Sequence, residues 1–128
     1  MPERLLLDTH ALIWALAEPD ELAAPARRAL EIPANTVLVS PASLYEISLK
    51  VALGKLARPA ADLPGSIEAV GFVELPVRMA HALLAGHLPF HHRDPFDRLL
   101  IAQAVLEGLT IVTRDGQFGL YDLPVLVC

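Results

Sequence analysis

The sequence predicts a three-layer α/β/α domain on a mainly parallel central sheet, and three observations predict it. Short aliphatic runs alternate along the chain with helical stretches, which implies right-handed βαβ crossovers and a sheet covered on both faces. The aliphatic runs read as buried strands, as a sheet enclosed between helices requires. Only 5% of the chain is aromatic, so Leu, Val, Ile and Ala must build the core.

Arg4 to Leu7 reads as a buried strand ending at Asp8, followed by a helix from about His10 to Ala17. Asp20 is a good N-cap for a second helix running through Leu30. Thr36 to Val39 is a β-branched strand, after which Ser40-Pro41 supplies a cap and a proline at the first position of a helix reaching Gly54. Asp62 to Val70 reads as helix, Phe72 to Leu75 as a short strand, and Arg78 to Ala85 as another helix. A loop then carries His87, Pro89, His91 and His92. Asp94-Pro95 opens a helix that stops at Gly108; Thr110 to Thr113 is a buried strand and Pro124 to Val127 the last. No repeat, low-complexity tract or linker separates these elements, so residues 1–128 read as one domain, long enough to enclose a core.

A hydrophobic content of 54% and a mean hydropathy of +0.46 exclude a disordered chain, while 20% charged residues keep it soluble. The apolar start, Pro2 to Leu16, resembles a signal peptide in composition. Glu3, Asp8 and His10 interrupt it and Arg4 is its one basic side chain, so it reads as folded structure. No apolar run approaches the roughly 20 residues that span a bilayer, so no membrane is expected. The single cysteine, Cys128, has no partner in the chain and suits a reducing cytoplasm. A net charge of −5 counts against nucleic-acid binding through a basic surface. It leaves room for a nuclease whose acids gather to hold metal ions.

In an open parallel sheet, ligand sites form beyond the carboxyl ends of the strands. Asp8 ends the first strand and Asp115 lies two residues past Thr113, so both belong on that rim; each could equally be a turn or capping residue. Asp97 shares the face of its helix with Ile101 and Ala104 and so lies on the stripe that faces the sheet. The alternative is a capping arrangement, with Asp94 as N-cap and Asp97 as the acid reaching back. Glu46 sits at the edge of the apolar stripe formed by Ala42, Leu49 and Leu53; alone it would pass for a solvated helix residue. Taken together, two acids at strand ends and two in the opening turns of the following helices can converge on one side of the sheet. Gathered carboxylates repel one another unless cations neutralise them, and Mg²⁺ or Mn²⁺ suits oxygen donors. Such an ion can activate water against a phosphodiester, which dispenses with a nucleophilic side chain. Thr9 and Thr113 could orient the acids or be ordinary strand-end residues. Arg93, Arg98 and Arg114 could meet phosphate oxygens, although solvated surface arginines are the default reading.

These residues resemble a known family. Leu5-Leu6-Leu7-Asp8-Thr9-His10-Ala11-Leu12-Ile13-Trp14 is similar to the opening of VapC-type PIN domains, and Ser43-Leu44-Tyr45-Glu46-Ile47 resembles their second motif. Asp94-Pro95-Phe96-Asp97-Arg98-Leu99-Leu100-Ile101-Ala102-Gln103-Ala104 resembles the third, with Asp97 at the catalytic acid, and Thr113-Arg114-Asp115 the fourth. The resemblance covers essentially the whole chain. It implies a metal-dependent, usually RNA-cleaving toxin, often a homodimer, held inactive by a small antitoxin. Asp8, Glu46, Asp97 and Asp115 would be its catalytic and metal-holding acids.

Three rivals stand beside this reading. His87, His91 and His92 with Asp94 could form a zinc site, though without a matching cysteine pattern, or could contact substrate. A haloacid-dehalogenase phosphatase would want a second Asp where His10 stands. A catalytically silent PIN-like module would bind protein or RNA, but usually with acids missing. A DNA nuclease is a further variant, since no residue in the sequence is a recognisable reader of the 2′-hydroxyl.

Overall fold

Period-two alternation along the strands sorts their aliphatic side chains onto two faces. Leu5, Leu7, Val37, Val39 and Val112 join one core cluster, and Leu6, Leu38 and Ile111 join the other. In the computed structural model, residues 2–59 and 62–128 are described. The elements are β1 (Arg4–Leu7), α1 (Thr9–Ala17), a 3-10 turn (Pro19–Glu21), α2 (Ala24–Glu31), β2 (Thr36–Val39), α3 (Pro41–Ala52), α4 (Leu63–Ala69), β3 (Val73–Glu74) and α5 (Met79–His87). They continue with α6 (Pro95–Glu107), β4 (Thr110–Thr113), a second 3-10 turn (Gly116–Leu120) and β5 (Val125–Val127).

All five strands are parallel, in the order β3-β2-β1-β4-β5, with Leu6 paired to Leu38 on one side and Ile111 on the other. On the first face Ala11, Leu12, Ala26, Ile47 and Ile67 bring in α1 to α4. On the second, Ala85, Leu100, Ile101, Ala102 and Ala104 bring in α5 and α6. The expected three layers are therefore present. The chain runs from β1 outward to β2 and β3, then returns to place β4 on the opposite side of β1. That reversal puts the switch point of the sheet at the carboxyl ends of β1 and β4, the place where such sheets bind ligands.

Short polar side chains fix where the site's helices begin. Ser40 Oγ accepts from the Ala42 N–H at 3.1 Å, and Asp62 from the Gly65 N–H at 3.1 Å. Gly108, at φ 67°, closes α6 in the left-handed conformation that a side chain would strain.

Three expectations are corrected. Asp20 does not cap a helix: Pro19–Glu21 forms a 3-10 turn, and Pro25, in the first turn of α2, sets a later start at Ala24. Asp20 instead pairs with Arg27 at 2.7 Å. The strand expected over Phe72 to Leu75 narrows to Val73–Glu74, both exposed, because Phe72 turns into the first core cluster. Helix α5 runs to His87, so that histidine closes a helix and binds the Leu83 carbonyl at 2.8 Å through Nδ1.

Candidate active site

Asp8 follows the last residue of β1 and is the N-cap of α1. Its Oδ1 accepts from the Ala11 N–H at 2.8 Å, and its Oδ2 accepts from Thr113 Oγ1 at 2.5 Å. Its own N–H donates to the Val112 carbonyl at 3.1 Å, which ties the start of α1 to β4. Thr113 Oγ1 also accepts from the Asp115 N–H at 3.0 Å, and Asp115 Oδ1 accepts from the Gln117 N–H at 2.9 Å. The capping readings of Asp8 and Asp115 are thus correct, and the same bonds fix both carboxylates on the rim.

Glu46 lies deeper than the edge position expected of it, at 5% exposure. Thr9 Oγ1 donates to its Oε1 at 2.6 Å, with Ser43 Oγ 3.2 Å from the same hydroxyl. Lys50, one helical turn on, pairs with Oε2 at 2.9 Å. A buried carboxylate is stable only with such partners.

Asp97 does not reach back to its N-cap. Asp94 caps α6 by itself, its Oδ1 accepting from the N–H groups of Phe96 at 2.9 Å and Asp97 at 3.0 Å. Asp97 Oδ2 lies 3.0 Å from His92 Nε2, and Asp115 Oδ2 lies 3.0 Å from the same nitrogen. The Asp94 N–H donates to His92 Nδ1 at 3.2 Å, which assigns the proton of a neutral imidazole to Nε2 and lets it face both carboxylates. One ligand atom from each of His92, Asp97 and Asp115 lies within 4.8 Å of the others.

The electrostatics locate the centre of the cluster. Burial, followed by the charges of Asp94, Glu46, Asp8 and Asp115, pushes the Asp97 carboxyl up to about 8. Burial also raises Asp8, against the opposing hydrogen bonds from Thr113 and Ala11. Hydrogen bonding to Glu46 holds the Lys50 ammonium above its ordinary value. Of the four acids expected from the sequence, Asp97 and Asp115 share His92, while Asp8 and Glu46 reach Asp97 through their charges, as Asp94 does. Oxygen donors of which one is pushed up first by burial and then by its neighbours' charges fit a hard divalent cation.

The remaining expectations separate. The zinc set does not assemble, since His87 binds its own helix, His91 packs edge-on against Tyr121 at 5.1 Å, and only His92 joins the acids. Arg98 is not a solvated arginine. It is buried, donates to the carbonyls of Leu88, Pro89 and His92 at 2.9 to 3.2 Å, and lies 4.3 Å from the Phe90 ring. Arg114 donates to the carbonyls of Glu21 and Cys128 and covers the Trp14 ring at 4.1 Å. Arg93 is exposed. Cys128 is buried without a disulfide, and burial followed by the charge of Asp8 pushes its thiol up to about 11, away from nucleophilic chemistry.

Sequence reasoning missed three features. The Glu46–Lys50 pair was signalled by its i, i+4 spacing. The placement of His92 between Asp97 and Asp115, and the burial of Arg98 beneath its loop, carried no local signal.

A parallel sheet with acids around the switch point between β1 and β4 is the arrangement of a PIN domain, and the chain belongs to the PIN-domain family, whose profile matches residues 5–123. It is 31% identical over 126 residues to ribonuclease VapC22 of Mycobacterium tuberculosis, covering 94% of this chain and 93% of that protein. VapBC2 of Rickettsia felis, solved with a DNA fragment from its promoter, matches with a TM-score of 0.71 at 16% identity, over 97% of this chain and 98% of that one. DNA-bound VapBC of Salmonella typhimurium gives 0.69 at 16% identity, over 99% and 98% of the two chains. These likenesses show the fold. No helix among the described residues is long and apolar enough to cross a membrane.

Proposed function

We propose that this chain is a divalent-metal-dependent endoribonuclease, the toxin of a toxin–antitoxin pair, acting in the cytoplasm. The observation that carries the reading is the cluster in which Asp97 and Asp115 each lie 3.0 Å from His92 Nε2, with Asp97 pushed up to about 8 by burial and then by the charges of Asp94, Glu46, Asp8 and Asp115. Its likeness across nearly its full length to a protein named a ribonuclease supports RNA as the substrate. Neighbours in fold described as toxin–antitoxin complexes support a small antitoxin as partner. The resemblance further suggests a homodimer.

Asp8, Glu46, Asp97 and Asp115 would hold Mg²⁺ or Mn²⁺. When bound, the ion would lower the pKa of a water and stabilise charge on the phosphate. The residues of the chain do the rest. Thr113 and the Ala11 N–H hold Asp8 in one orientation, and Thr9 and Lys50 do the same for Glu46. His92 ties Asp97 to Asp115. Since Asp97 keeps a proton near neutral pH without a cation, it must release that proton for the site to load, so metal affinity rises with pH.

The test is incubation of antitoxin-free protein with mixed cellular RNA, with Mg²⁺ or Mn²⁺ and then with EDTA, beside the Asp8→Asn variant. Cleavage that requires metal and vanishes in the variant supports the reading. Failure to cleave, together with failure of metal to bind or to raise the Tm, replaces it with a silent PIN-like module that binds protein or RNA. Cleavage of DNA in preference to RNA would retain the chemistry and change the substrate.

A further inference from the structure

The chain has seven aromatic side chains: one Trp, two Tyr and four Phe. Most serve the interior or its edges. Phe118 and Tyr121 are buried in the second core cluster, Phe72 and Trp14 pack against the first, and Phe90, itself 72% exposed, lies on the Arg98 guanidinium. Tyr45 and Phe96 belong to neither cluster. They meet edge to face, with ring centroids 5.4 Å apart and planes at 76°, and Tyr45 is 63% exposed. Each directly precedes a site acid, Glu46 on α3 and Asp97 on α6. Helices from opposite faces of the sheet, the two that carry Glu46 and Asp97, thus come together through an aromatic pair.

The charges around the acids sharpen the point. A phosphate chain approaching this site meets a protein of net charge −5. Of the basic groups nearest the acids, Lys50 is held by Glu46, Arg98 is buried on three carbonyls, Arg114 is bound to two carbonyls and Trp14, and Arg93 is left exposed. Counterion release, the usual source of affinity for nucleic acid, therefore has little to draw on. Base stacking needs no charge and tolerates any base, because every base has a π-face. A duplex hides those faces; an unpaired strand offers them.

We infer that Tyr45 and Phe96 form a stacking platform for an unpaired base next to the scissile phosphodiester, so the site selects single-stranded nucleic acid through aromatic contact. The inference rests on the nuclease reading, and its test separates the two. The probe is an eight-nucleotide single-stranded RNA carrying 2-aminopurine, with its duplex as control, bound in Ca²⁺ to antitoxin-free protein. Cleavage of the same single strand in Mn²⁺ is followed for wild type, and Mn²⁺ binding is titrated on every sample.

Wild-type protein should quench 2-aminopurine and bind the single strand in preference to the duplex. Tyr45→Leu and Phe96→Leu should each weaken single-strand binding by about tenfold and reduce the quench, with Mn²⁺ affinity unchanged. Single-strand affinity and quench unaltered in both variants would overturn the platform. So would variants that bind the strand normally but change sedimentation, which would make the pair a contact between copies. Absence of RNA cleavage by wild type in Mn²⁺, with binding still lost in the variants, counts against the nuclease reading and leaves the platform standing.

Discussion

Thr113 Oγ1 donates a 2.5 Å hydrogen bond to Asp8 Oδ2, joining the carboxyl end of β4 to that of β1 across the point where the strand order reverses. Both residues are buried, Thr113 at 1% exposure and Asp8 at 7%. The Ala11 N–H holds the other oxygen of Asp8, and both bonds counter the burial that raises its pKa.

Thr113→Val keeps the shape and removes the donor. Leaving a buried carboxylate short of a partner costs about 1–3 kcal/mol, and the variant should lose that much stability in urea denaturation. Its Asp8 should be harder to ionise, so it should bind Mn²⁺ more weakly at a given pH. Wild-type stability and metal affinity in this variant would show that the bond does neither job.

The pH dependence of the metal-free protein follows from Asp97. Its carboxyl titrates at an ordinary 3.8 in the unfolded chain and near 8 in the fold. Between those values the unfolded state has released a proton that the folded state keeps, so this contribution is full below 3.8 and lost as pH rises through about 8. The metal-free Tm should therefore decline from pH 5 to pH 8, and saturating Mn²⁺ should flatten the decline. Asp97→Asn should also flatten it, leaving a protein at pH 8 more stable than metal-free wild type. A Tm independent of pH in EDTA contradicts this.

Most of the layer order was legible in the sequence because its signals are local. Leu5 to Leu7, Thr36 to Val39 and Thr110 to Thr113 are strands in both the reading and the structure, and proline near the first turn marks α3 and α6. Asp20 misled because its capping preference lost to Pro25, which fixes the register of α2. Strand ends and helix faces singled out four acids, of which Asp97 and Asp115 come together at His92. His92 itself was not legible, because its contact with Asp115 spans 23 positions and depends on how the loop after α5 lies over the rim. Arg98 was unreadable for the same reason, its partners coming from that loop.

Arg98→Met should be among the most damaging substitutions outside the acids. It removes donors from three carbonyls beneath the loop that carries His92, and charged hydrogen bonds of this kind contribute about 1.5–3 kcal/mol each. A loss of about 3 kcal/mol or more in urea denaturation is expected. Arg98→Lys should recover only part of it, since an ammonium lacks the planar fork that serves several acceptors. A loss below about 1 kcal/mol would mean that solvent replaces these bonds freely.

Asp94 separates capping from metal holding. Both of its bonds to N–H groups go to the first turn of α6 through Oδ1. Asp94→Ala should cost about 1 kcal/mol, the usual value of an N-cap, and Asp94→Ser should restore most of it. Mn²⁺ binding should survive in Asp94→Ser. Its abolition there would move Asp94 into the metal-holding set.

The central claim is that the carboxylates around Asp97 hold a divalent cation that turns water on an RNA phosphodiester. The most direct measurement titrates Mn²⁺ into metal-free wild type and Asp97→Asn at pH 8, then follows RNA cleavage by the same samples with analysis of the new ends. Wild type should bind Mn²⁺ and cleave without forming a 2′,3′-cyclic phosphate, because water and not the 2′-hydroxyl attacks; Asp97→Asn should remain folded and do neither. An Asp97→Asn protein that cleaves as wild type does, or wild-type cleavage that persists in EDTA, would contradict it.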